Sequence, residues 1–92
     1  MSQARITDYM KNHAGSCIKD ARKFHKVNQA QLAKLLNVSQ PLVSLWESGK
    51  VMPTLHDLVA IETVLQEKPG TLVINVAYPE LSEITYNKTN NQ

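Results

Sequence analysis

The apolar positions of residues 28–49, NQAQLAKLLNVSQPLVSLWESG, fall into two short helical stripes with a break between them. Leu32, Ala33 and Leu36 recur at helical spacing, Val38 stands in the break, and Val43 and Trp46 follow three residues apart. These six positions are predicted to be buried. Gln29, Gln40, Ser44 and Leu45 fall off both stripes and are predicted to face outward. The polar residues between them punctuate the same pattern. Asn28 with Gln31 three residues later makes a capping-box-like start. Asn37 stands at the sharp turn, where its tolerance of a left-handed backbone is useful. Ser39 is a second N-cap, and Pro41 lies in a first turn, where a missing N–H does no harm. Gly49 ends the second helix.

The flanks are read by the same periodicities. Ile6, Tyr9 and Met10 predict a short first helix closed by Gly15, preferred here to a strand around the β-compatible Arg5-Ile6-Thr7. Ser16 is then expected to cap a helix over 17–26, with Cys17, Ile18, Ala21, Phe24 and Val27 on its core face. Thr54, with Asp57 three residues on, opens a further helix. Its stripe is Leu55, Leu58, Ile61 and Leu65, interrupted by Glu62, and Lys68-Pro69-Gly70 stops it. After that the period changes. Leu72, Ile74, Val76 and Tyr78 alternate with Val73, Asn75 and Ala77, which predicts a β-strand over 71–78. Ile84-Thr85-Tyr86 reads as a second, weaker strand, and 87–92 as a disordered tail.

The segment NQAQLAKLLNVSQPLVSLWESG, followed by KVMPTL, resembles the helix-turn-helix of the Cro/phage-repressor family, the XRE-type regulators. The resemblance covers about residues 16–66. It departs from the family pattern at Asn37, where Gly is commonest. The fold it implies is mainly α: a phage-repressor-like helical domain with a helix-turn-helix, plus a short C-terminal β-strand or hairpin. The chain is read as one domain, 1–92, with its core at 16–68. The strand region 71–86 is a candidate dimerisation element, since some Cro proteins carry such a region.

The resemblance also assigns roles. A helix fits the B-DNA major groove, and its first turn can aim side chains at base edges. Gln40 would read a base there, since Gln can bond adenine N6 and N7 together. Gln29 resembles the family glutamine that bonds a phosphate and braces the reading glutamine. Ser44 would reach a base edge or phosphate, and Leu45 and Pro41 would meet thymine methyls. Asn28, Ser39, Lys34 and Lys50 complete the expected DNA-binding set, with the lysines on phosphates, where they position without specifying sequence. Arg22 and Glu47 occupy the family positions of a largely buried salt bridge between the first helix and the recognition helix. The implied function is a homodimeric repressor of phage or plasmid type on double-stranded DNA. An antitoxin that represses its own operon and binds a toxin protein is the alternative.

Composition adds limits rather than direction. A net charge of +2 permits nucleic-acid binding without arguing for it. The basic residues Lys19, Arg22, Lys23, Lys26, Lys34 and Lys50 crowd the first 50 positions. One cysteine, Cys17, leaves no disulfide framework and reads as a small buried hydrophobe of a reducing compartment. MSQARITDYMKN lacks the apolar run of a signal peptide, and no stretch is long enough to span a bilayer, so the expectation is a cytoplasmic protein. His13, His25 and His56 are too scattered for metal ligands, and no catalytic constellation or cofactor motif is present. The chain is therefore expected to be no enzyme and to need no cofactor.

Overall fold

In a computed structural model, residues 3–79 are described, with side chains from Thr7 onward. Among the described residues, five helices follow one another: α1 Gln3–Phe24, α2 Gln29–Leu36, α3 Gln40–Glu47, α4 Leu55–Val64 and α5 Thr71–Ala77. Helix α1 packs against α3 and α5, α2 against α3 and α4, and α4 against α5. Ile18, Leu32, Ala33, Val43, Trp46, Leu58, Ile61, Leu65 and Leu72 form one shared core.

The helix-turn-helix forms for the local reasons its sequence suggests. The Asn28 side chain accepts from the Gln31 N–H while the Gln31 side chain accepts from the Asn28 N–H, at 2.7 and 2.8 Å. Asn37 adopts the left-handed backbone with φ 59°, and the Val38 N–H bonds back to the Ala33 carbonyl at 3.0 Å. The Ser39 hydroxyl accepts from the Leu42 N–H at 3.3 Å. Leu32, Ala33, Val43 and Trp46 are buried, whereas Leu36 and Val38 pack against the core from its edge.

The N-terminal expectation is corrected. Gly15 ends no helix and Ser16 caps none: both lie inside the 22-residue α1. Gly15 is there because α3 crosses it closely. A Cβ on Gly15 would collide with the backbone carbonyl oxygen of Trp46 and come within 2.9 Å of that of Glu47. The helix ends instead ahead of Lys26, at φ 58°. Phe24 is not a core residue, being 79% exposed. The inward stripe of α1 runs through Ala14, Ile18 and Arg22 at four-residue intervals, and Phe24 lies off it. Cys17 is half-buried, and its thiol is raised to about 11 by burial and by nearby Asp20.

Two further corrections concern the C-terminal half. Helix α4 stops at Val64, ahead of Lys68-Pro69-Gly70, with Gln66 left-handed at φ 59°. Leu55, its first residue, is 64% exposed and outside the stripe. The segment predicted as a strand over 71–78 is helix α5. The interruption in α4 explains this. Glu62 is buried, and its two carboxylate oxygens accept from the N–H groups of Gly70 and Val73, each at 2.9 Å. Those N–H groups lie in and just ahead of the first turn of α5, whose free amides attract an anion. Leu72, Val73 and Val76 then share the inner face at helical spacing. His13 Nε2 donates to the Asn75 carbonyl at 2.7 Å and ties α5 to α1. Leu72 thus closes the core of the chain itself. The weaker strand 84–86 and the tail 87–92 lie outside the described residues.

Candidate nucleic-acid interface

The outward face of α3 carries Gln40, Pro41, Ser44 and Leu45, spaced as one helical face opposite Val43 and Trp46. Gln40, Pro41 and Ser44 are exposed, and Leu45 is 38% exposed. Gln40 is the first residue of the helix and Ser39 its cap. The chain after α3 turns at Gly49, with φ 77°, and leaves Lys50 exposed beside this face.

Behind the face runs a hydrogen-bonded chain of four side chains. Gln40 Nε2 donates to Gln29 Oε1 at 3.2 Å. Gln29 Nε2 donates to Glu47 Oε1 at 3.1 Å. Arg22 closes the chain, with Nε to Glu47 Oε2 at 2.7 Å and Nη2 to Glu47 Oε1 at 2.8 Å. A third Arg22 nitrogen, Nη1, donates to the Val27 carbonyl at 2.9 Å. The Arg22 and Glu47 side chains keep only 10% and 4% of their surface exposed. Burial works to raise the Glu47 carboxyl. Hydrogen bonds from Arg22 and Gln29, with the charges of Arg22 and Lys19, outweigh it and hold the group below its ordinary range. The hydrogen bond to Glu47 raises Arg22 in turn, against the effect of its burial.

The structure therefore brings Gln29 and Gln40 together and fastens both to the Arg22–Glu47 pair. Asn28 and Ser39 sit at the starts of α2 and α3 on either side. Lys34 stands apart. It comes five residues after Gln29, about 140° round the helix, and lines a shallow groove with Lys26, Val27, Gln31 and Leu35. Sequence reasoning missed the Gln29–Glu47 bond. The two residues lie 18 positions apart, and no local spacing signals a contact between them. Among the described residues, no group of His, Cys, Asp or Glu could hold a metal ion, and no helix is long and apolar enough to cross a membrane.

A turn between two short helices, an outward, exposed face on the second and a buried ion pair behind it define a helix-turn-helix domain. The family comparison agrees: the helix-turn-helix model matches residues 18–72, and the chain belongs to this XRE-type family of DNA-binding regulators. It is 36% identical to Repressor protein C2 of Salmonella phage P22, over 70% of this chain and 32% of that protein. It is 44% identical to the HTH-type transcriptional regulator DicA of Escherichia coli (strain K12), over 60% of this chain and 41% of that protein. The alignments thus span well under half the length of either relative. No solved structure gave a match.

Proposed function

We propose that the chain is a sequence-specific transcriptional regulator, a homodimeric repressor of phage or plasmid type that reads operator half-sites through the major groove. The observation that carries this reading is the anchored pair Gln29–Gln40 at the head of an exposed helix. A reading side chain held by the core loses less entropy on binding than a free one. Gln40 bonds an adenine edge, Ser44 a base edge or phosphate, and Pro41 and Leu45 pack on thymine methyls. Asn28, Gln29 and Ser39, at helix N-termini, meet phosphates, as does Lys50. Lys34, on the flank of α2, adds to the positive field.

One module of this size reads few bases, so two half-sites about 34 Å apart are expected. The dimer contact falls on the exposed apolar side chains at the end of the described chain, Ile74 and Tyr78, which are 44% and 58% exposed. The protein works where the DNA is, in the cytoplasm. Selection of bound duplexes from a randomised pool tests the reading. Enrichment of an inverted repeat with half-sites one helical turn apart supports it, and recovery of all sequences alike contradicts it.

A further inference from the structure

An amide side chain has two ends of nearly the same shape, one a donor and one an acceptor. Which end of Gln40 faces DNA decides what it can read, and the buried network leaves only one answer. An ionised carboxylate accepts hydrogen bonds and donates none. Gln29, which meets Glu47 Oε1 at 3.1 Å, must therefore turn its NH2 end to the carboxylate. Its carbonyl oxygen is then directed at Gln40, and only the NH2 end of Gln40 can meet that oxygen, at 3.2 Å.

We propose that Glu47 is a specificity-positioning residue: acting through Gln29, its negative charge sets which way round the Gln40 amide is presented to DNA. The proposal rests on Gln40 reading a base. Arg22 keeps the charge in place from the far side, holding both carboxylate oxygens, and the Glu47 carboxyl stays ionised at neutral pH.

The consequence is a choice of base. With one N–H committed to Gln29, Gln40 keeps its oxygen and a second N–H on its free edge, in a fixed order. That order matches adenine, whose major-groove edge offers the N7 acceptor and the N6 donor. Turned over, the amide would set its N–H against the N6 donor and its oxygen against N7, losing both bonds to adenine, whereas guanine, an acceptor at both places, takes one N–H in either orientation. Losing the relay therefore weakens the preference for adenine over guanine, whatever it does to affinity as a whole.

The test uses the selected operator duplex and a copy with guanine in place of adenine at the position read by Gln40. That position is identified as the one whose preference disappears in Gln40→Ala. Gln29→Met breaks the relay and leaves the Arg22–Glu47 pair intact. Glu47→Gln substitutes a group that can face Gln29 either way round. The ratio of the two dissociation constants is expected to fall about fivefold or more in Gln29→Met, and to fall in Glu47→Gln wherever that variant folds. If Gln29→Met weakens both duplexes equally and keeps the ratio, Gln29 acts only on phosphate and the proposal is overturned. If Gln40→Ala itself alters no base preference, the reading of Gln40 fails and the relay falls with it.

Discussion

Arg22 grips Glu47 through two parallel hydrogen bonds, 2.7 and 2.8 Å long, across the buried junction of α1 and α3. This fork-to-carboxylate geometry is the strong form of ion pair. It fixes the position of α3 relative to the rest of the domain. Through Gln29 it also reaches the surface at Gln40.

Breaking that pair from one side should be costly. Arg22→Ala leaves a buried carboxylate without its partner, and the expected loss is on the order of 3–5 kcal/mol. A domain of this size has few kcal/mol to lose. Urea denaturation measures the effect. A midpoint close to the wild type would place the pair in solvent rather than in the core.

The same pair sets an acid limit. The Glu47 carboxyl is lowered in the folded protein, so the unfolded chain takes up its proton first as the pH falls. The stability it contributes is complete above the unfolded value of about 4.3, and is lost as the pH falls through the lower folded value. The stability difference between wild type and Glu47→Leu should therefore shrink from pH 7 to pH 3. A difference that stays constant over that range would show that the carboxyl is not lowered.

Gly15→Ala sets two effects against each other. Alanine favours a helix interior by about 1 kcal/mol over glycine. The added methyl, however, collides with the backbone of α3 at Trp46 and Glu47, and overpacking of this kind costs roughly 1–3 kcal/mol. A backbone neighbour yields less readily than a side chain, so net destabilisation is expected. A raised melting temperature would show that the α1–α3 crossing is looser than described.

Glu62→Ala removes the acceptor shared by the Gly70 and Val73 amides. Both donors are half-buried, so leaving them unpaired costs at most about 1–3 kcal/mol each. Hydrogen exchange should speed up first along α5, while α2 and α3 keep their protection. Unchanged exchange at Val73 would mean that α5 is held by packing alone.

Glu62 also shows where the sequence stops being legible. The helix-turn-helix could be read because its determinants are local: caps three residues away, a left-handed Asn37, and stripes three and four apart. Segment 71–78 could not. Leu72, Ile74, Val76 and Tyr78 alternate as in a strand, but a carboxylate from α4 caps the segment as a helix, and Leu72, Val73 and Val76 then face the core. Gly15 misled for the same reason, because its partner is the backbone of another helix. Arg22 and Glu47 were placed by family resemblance, whereas the bond from Gln29 to Glu47 needed three-dimensional structure.

Lys50→Ala should weaken binding to all duplexes alike and lower the slope of log affinity against log salt by about one. Salt titrations on the selected duplex and on a scrambled one measure this. A slope equal to the wild type's would remove Lys50 from the phosphate contacts.

Gln40 is proposed to read sequence from the head of α3. Its most direct test is the affinity of wild type and Gln40→Ala for the selected duplex and for a scrambled duplex at one salt concentration. The expected loss is roughly 1–3 kcal/mol on the selected duplex and much less on the scrambled one. Equal losses on both would contradict it, leaving Gln40 a contact to backbone or to nothing.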